Sequence, residues 1–156
     1  MKLTIVEKIR KQADELGITK LRKTVLYGHP AHTRRTFGRV VPDFDREMRD
    51  YLKLFDPSVI EGRGGGSRSH TYYLLAPQLN IYIEDKTKLT GWADKNTSHS
   101  LQITIYTDND KYLRGIVKQL NSAWDGKLLE NIIWKKIEKS YKVNKEECIA
   151  TWKELL

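Results

Sequence analysis

Apolar residues recur every three or four positions in several stretches of the chain, a spacing that is typical of amphipathic helices. The first predicted helix covers residues 2–16 and ends before Gly17, because glycine commonly follows the last turn of a helix. A second helix is predicted between Pro42 and Pro57, with an apolar stripe formed by Phe44, Met48, Tyr51, Leu52 and Phe55. The same spacing predicts three further helices, over residues 109–122, 126–140 and 144–155.

Alternation of apolar and polar residues predicts strands over residues 80–86 and 101–107. In the first of these, Ile83 is expected on a buried face, and Glu84 and Lys86 on the opposite, polar face. Three further stretches are strand candidates, over residues 21–27, 59–61 and 71–75. We therefore predict a single α+β domain over residues 1–156, with a small, mostly antiparallel sheet of about four strands flanked by helices.

The length and composition are those of an ordinary globular chain rather than a disordered or membrane-spanning one. The chain has 156 residues, of which 39% are hydrophobic and 31% charged, and no apolar run approaches the roughly 20 residues that span a bilayer. Residues 1–16 are charged throughout, so we expect no signal peptide. Cys148 is the single cysteine and cannot form an internal disulfide, which predicts an intracellular protein.

Positive charge is concentrated in particular segments of the chain. There are 28 lysines and arginines against 20 aspartates and glutamates, which gives a net charge of +8. The segment from Leu16 to Pro42 contains no acidic residue and six basic ones, Lys20, Arg22, Lys23, Arg34, Arg35 and Arg39. A second acid-free stretch, over residues 62–83, adds Arg63 and Arg68. Such clusters attract polyanions, so we predict that these side chains contact DNA phosphates; a solvated basic surface is the alternative.

A carboxylate and an ammonium group stand two residues apart near the end of a predicted strand. We expect Glu84 to hold a divalent cation, Mg²⁺ or Mn²⁺, and Lys86 to offset negative charge at a phosphorus centre. The Glu-x-Lys spacing resembles the second half of the PD-(D/E)xK nuclease motif. That resemblance implies a further acidic metal ligand, for which the candidates are Asp85, Glu61, Asp43 and Asp56. An ion pair on the surface of a sheet is the alternative interpretation.

The glycine run Gly64-Gly65-Gly66-Ser67 precedes the strand that contains Glu84. It is similar to the nucleotidyltransferase pattern, in which a glycine loop is followed by a strand with two acids two residues apart. Backbone N–H groups of such loops bind phosphate oxygens. The residues two positions from Glu84 are Tyr82 and Lys86, so the second carboxylate of that pattern is missing. A hairpin loop without a ligand is the alternative for the glycines.

Chain length, basic character, the glycine run and the glutamate after it together resemble the small α+β double-stranded-DNA nucleases of filamentous viruses of hot-spring archaea. The resemblance extends over the whole chain and implies a remotely nucleotidyltransferase-like fold, a catalytic role for Glu84 and action in the host cytoplasm. We therefore expect a metal-assisted nuclease that acts on linear double-stranded DNA. The alternatives are a basic DNA-binding protein without enzymatic activity and a nucleotidyltransferase-like enzyme.

Overall fold

The computed structural model describes residues 2–29, 44–65, 69–90 and 98–156. Helices and strands alternate irregularly along these ranges, as expected of an α+β domain. No helix within them is long and apolar enough to cross a membrane. In chain order the elements are α1 (Ile5–Glu15), β1 (Lys23–Gly28), α2 (Phe44–Lys53), β2 (Ile60–Gly65), β3 (Ser69–Ala76), β4 (Ile81–Thr90), β5 (Ser98–Tyr106), α3 (Asp110–Ser122), α4 (Trp134–Tyr141) and α5 (Lys145–Leu155).

The strands form one antiparallel sheet in the order β1-β5-β4-β3-β2. The predicted α+β class and antiparallel sheet are confirmed, with five strands in place of about four. The additional strand is β2, which was predicted only over residues 59–61. It continues through Gly65 because Gly62, Gly64 and Gly65 pair with residues of β3. Strand β4 therefore lies at the centre of the sheet, and β1 and β2 are its edges.

Local signals explain most helix boundaries. Thr4 and Glu7 form a reciprocal capping box at the start of α1, and Gly17 follows that helix with φ at 74°. Asn144 accepts hydrogen bonds from two backbone N–H groups at the start of α5, as expected of an N-cap. The helix predicted over residues 126–140 is shorter than expected, since the chain has positive φ at Gly126 and α4 begins only at Trp134.

Helices cover both faces of the sheet. The core face packs against α2, α3 and α5, and its buried residues include Leu26, Leu74, Ile83, Ile103 and Ile105. The opposite face, called here the α1 face, packs against α1 and the turn after it through Ile9, Ala13, Ile18, Tyr73, Leu75 and Tyr82. The predicted alternation is confirmed, but the predicted polar face is partly buried. Polar residues of the α1 face are therefore confined to the part that this apolar cluster under α1 does not cover.

A candidate catalytic site on the α1 face

Glu84 lies in the middle of β4 on the α1 face, with Tyr73 and Thr104 as its cross-strand neighbours. Its side chain is 14% exposed. The hydroxyl of Tyr82 donates a hydrogen bond of 2.7 Å to Oε1 of Glu84. Burial and this hydrogen bond to a carboxylate raise the pKa of Tyr82, so the hydroxyl keeps its proton and remains a donor. Glu84 is thus a partly buried carboxylate with a fixed orientation and one side open to solvent.

Arg10 of α1 reaches over the same carboxylate. Its Nε atom lies 3.5 Å from Oε1 of Glu84, and its guanidinium carbon lies 5.5 Å from the centre of the Tyr73 ring. Desolvation is the largest single influence and opposes the charge, but Glu84 together with Tyr73 and Tyr82 raises the pKa of Arg10. The side chain is nevertheless 56% exposed, which leaves its other N–H groups available to an anion. The sequence analysis missed Arg10; the available signal was its position beside Ile9, at the margin of the buried stripe of α1.

Lys86 stands two residues beyond Glu84 on the same face, opposite Thr71 of β3. Its side chain is exposed. Residues two apart along a strand are separated by about 7 Å, so the ammonium group and the carboxylate can both reach a ligand above the sheet. The predicted sharing of a face by Glu84 and Lys86 is therefore confirmed, and Arg10 adds a second cation to it.

Asp85 points to the core face, away from Glu84, and is only 2% exposed. The hydroxyl of Thr87 donates a hydrogen bond of 3.2 Å to its Oδ1. Burial, followed by the nearby carboxylate of Asp45 and a hydrogen bond with it, raises the pKa of Asp85 well above the usual aspartate value. Asp85 therefore forms a carboxyl pair with Asp45 on the core face and does not lie on the same side of the sheet as Glu84.

Glu61, the other expected metal ligand, also lies on the core face, in edge strand β2. It accepts hydrogen bonds from the hydroxyl of Tyr72, at 2.5 Å, and from Arg49, at 3.2 Å. Burial opposes ionisation, but these two bonds and the positive charge of Arg49 lower the pKa of Glu61. Its oxygens are thus already engaged in a network between β2, β3 and α2.

The three expected metal ligands do not converge. Glu84 faces α1, whereas Asp85 and Glu61 lie on the other side of the sheet. Among the residues that the structure describes, no group of three or more histidines, cysteines or carboxylates is placed to hold a metal ion. The predicted ligand set of Glu84, Asp85 and Glu61 therefore does not fit one divalent cation.

Two further acids were alternatives for the second ligand. Asp56 is fully buried, and its oxygens accept hydrogen bonds from the backbone of Ser58 and of Gln78. This arrangement fixes the turn before β2, so the role of Asp56 is structural. Asp43 lies outside the described residues.

The predicted DNA-contacting residues fall into three groups. Arg34, Arg35, Arg39 and Arg68 lie outside the described residues. Lys20, Arg22 and Lys23 lie together around the start of β1, where Arg22 pairs with Asp110 at 3.2 Å and Lys23 lies over Tyr106. Arg63 lies in β2 and pairs with Asp45 at 3.3 Å. The edge strands β1 and β2 are four strand spacings apart, about 19 Å. Arg63 therefore belongs to a different surface from Lys20, Arg22 and Lys23.

The glycine run is not a loop throughout. Gly64 and Gly65 form the end of β2 and pair with Thr71 and His70 of β3. The expectation of a glycine loop over the whole run is wrong for these two residues, because they pair as part of the sheet. Gly66 and Ser67 lie outside the described residues.

No protein-family model matches this chain, and no curated protein or solved structure is significantly similar to it. The resemblances to nucleases and nucleotidyltransferases therefore rest on short sequence motifs of this chain alone.

Proposed function

We propose that this protein binds nucleic acid on the α1 face and hydrolyses a phosphodiester bond there, with Glu84 as the catalytic acid–base residue. The observation that supports this most is one oriented carboxylate that shares a face of the sheet with two exposed cations, Arg10 and Lys86. Lys23 of β1 adds a further cation on the same face of the sheet, over the ring of Tyr106 that stacks on Tyr82. A phosphate group would meet positive charge at the rim and a proton acceptor at the floor.

The proposed reaction needs a base and charge stabilisation. A water oxygen forms a bond to phosphorus, and the bond from phosphorus to the leaving sugar oxygen breaks. The proton released by the water passes to the Glu84 carboxylate, and the leaving oxygen takes up a proton from solvent. Lys86 offsets the negative charge that develops on the phosphate oxygens. Tyr82 keeps the carboxylate oriented through its hydrogen bond to Oε1.

Linear double-stranded DNA is the substrate that we propose, with Mg²⁺ or Mn²⁺ as the cation to be tested. The basic residues around β1 suit contacts with phosphates rather than with bases, which favours a substrate of unrestricted sequence. We also propose an intracellular site of action, in the host cytoplasm if the chain is virus-encoded, because the single Cys148 suits a reducing compartment.

The test is an incubation of the purified protein with end-labelled linear DNA, with Mg²⁺, with Mn²⁺ and with a chelator. Shortened products from the wild type and their loss in Glu84→Gln are expected. Glu138→Gln, an exposed carboxylate of α4, is the matched control and keeps full activity. Intact DNA in all conditions, or equal cleavage by Glu84→Gln, would contradict the proposal.

A second candidate is a nucleic-acid-binding protein without turnover. The observation that favours it is the double use of Oε1 of Glu84, which accepts from Tyr82 and pairs with Arg10. Both contacts also suit an acid that only stabilises the packing of α1 on β4. Shifted DNA complexes without shortened products would support this function. Transfer of label from a nucleoside triphosphate would instead support the nucleotidyltransferase alternative.

A further inference from the structure

The two edges of the sheet differ in how their backbone groups are used. At β1 the carbonyl of Tyr27 accepts a hydrogen bond of 2.8 Å from the indole of Trp152, and the carbonyl of His29 accepts one of 2.8 Å from the backbone of Ile133. Elements near the C-terminus therefore occupy the end of β1, at Tyr27 and His29. At the other edge β2 pairs with β3 alone, and no strand of the described chain lies on its outer side. Unpaired strand edges are sites at which a further strand adds.

Apolar side chains lie next to the unpaired edge of β2 on the α1 face. Gly62 has no side chain, and α1 occupies that space: a Cβ there would lie 3.0 Å from Ile9 and 3.4 Å from Ile5. Ile5 is 59% exposed and Ile60, at the start of β2, is 38% exposed. Two large apolar residues thus border the unpaired edge on the α1 face, and their burial would favour association.

The charges of β2 are arranged symmetrically about Gly62. Glu61 and Arg63 flank this glycine, and both lie on the core face of the sheet. Their side chains are 38% and 63% exposed. Arg49 and Tyr72 hold Glu61, and Asp45 pairs with Arg63, so both charged groups are already ordered at the edge. An antiparallel copy of β2 with its two-fold axis at Gly62 would place Glu61 opposite Arg63 of the partner subunit, twice per interface.

We propose that β2 is a homodimer interface, in which two copies pair antiparallel about Gly62 and join their sheets. A two-fold interface must be self-complementary, and the Glu-Gly-Arg sequence meets this condition through charge. The exposed Ile5 and Ile60 become buried beside the new strand pair. This interface uses the edge farthest from Lys20, Arg22 and Lys23, so DNA contacts around β1 stay accessible.

The test is a measurement of molar mass by light scattering and of the dissociation constant by analytical ultracentrifugation on the full chain. A mass of twice 18.2 kDa is expected for the wild type. Glu61→Arg and Arg63→Glu each place like charges opposite one another, so each raises the dissociation constant at least about tenfold. The double variant Glu61→Arg/Arg63→Glu restores the opposite-charge pairs across the axis and regains most of the affinity.

The double variant distinguishes the interface from a loss of fold. Within one subunit it brings a second cation next to Arg49 and a second carboxylate next to Asp45, so its folding is impaired at least as much as in the single variants. Recovery of dimerisation can therefore come only from the contact between copies. Ile60→Lys, which leaves both charges in place, also weakens the dimer. Glu130→Arg is the control, because Glu130 is exposed and lies near the β1 edge of the sheet, opposite β2. A monomeric wild type would overturn the proposal, and so would single variants of Glu61 and Arg63 that dimerise as well as this control.

Discussion

Oε1 of Glu84 accepts a hydrogen bond of 2.7 Å from the hydroxyl of Tyr82, two residues earlier on the same strand. Tyr82 is only 1% exposed, whereas Glu84 lies at the border between buried and accessible surface. A side chain fixed by core packing therefore orients one that is open to solvent. Alternation along the strand places both on one face, so this relationship follows directly from sequence spacing.

Tyr82→Phe is expected to lower the free energy of unfolding by about 1.5–3 kcal/mol, the usual range for a hydrogen bond to a charged group. The phenyl ring keeps the packing but removes this hydrogen bond, while the ion pair of Oε1 with Arg10 stays. Urea denaturation at neutral pH measures the change. Tyr106→Phe, in the ring that stacks on Tyr82, is the control and has a smaller effect. Equal stabilities of the wild type and Tyr82→Phe would contradict this role of the hydroxyl.

Asp85→Asn is expected to flatten the dependence of stability on pH. The folded protein binds the Asp85 proton more tightly than the unfolded chain, because the folded pKa is raised above 3.8. The resulting stabilisation is fully present below the unfolded pKa and is lost as pH rises towards the folded one. Asparagine stays neutral at every pH and still donates to Asp45. As pH rises towards the folded pKa of Asp85, the wild type therefore loses stability that the variant keeps. Denaturant midpoints measured from pH 4 upwards test this, and parallel profiles would disprove it.

Gly115→Ala is expected to destabilise the protein by about 1–3 kcal/mol although alanine favours helices. A Cβ at this position of α3 would overlap the hydroxyl and ring of Tyr51 in α2, so the two helices would have to separate. Thermal unfolding measures the effect. The double variant Gly115→Ala/Tyr51→Phe removes part of the overlap and recovers part of the loss. A stabilised Gly115→Ala variant would show that this contact is absent.

DNA affinity is expected to fall steeply as salt concentration rises. Lys20→Ala and Lys23→Ala each remove one phosphate contact and lower the slope of log affinity against log salt by about 1. Fluorescence anisotropy of labelled duplex DNA at several salt concentrations gives this slope. Lys127→Ala, an exposed lysine after α3, serves as the control. Identical slopes for all four proteins would exclude the surface around β1 as the binding site.

Most of the fold follows from periodic patterns in the sequence. The helices around Ile9 and Met48 carry clear apolar stripes, and the alternation at Ile83 gives the correct faces of β4. Strand β2 was underestimated because glycine is rare in strands. Its extension depends on β3, which supplies the pairing, and on α1, whose side chains fill the space above Gly62. Such tertiary contacts leave no signal in the segment itself.

The candidate site was only partly predictable for a related reason. Glu84 and Lys86 are two residues apart, so their shared face follows from local spacing. Their relation to Arg10 and Glu61 depends on how α1 and β2 pack, which spacing along the chain does not determine. Asp85 and Glu84 are neighbours in sequence, yet lie on opposite faces of the sheet. Adjacent acids on a strand are thus poor partners for one metal ion.

The most direct test of the central claim measures cleavage rate and DNA affinity together for Glu84→Gln. Glutamine keeps the size of the side chain and can still interact with Tyr82, but it cannot accept the proton of an attacking water. We expect a single-turnover rate at least about a hundredfold below that of the wild type, the contribution typical of general acid–base catalysis, with affinity unchanged or increased. An unchanged cleavage rate, or a rate that falls only in proportion to a loss of affinity, would contradict a catalytic role for Glu84.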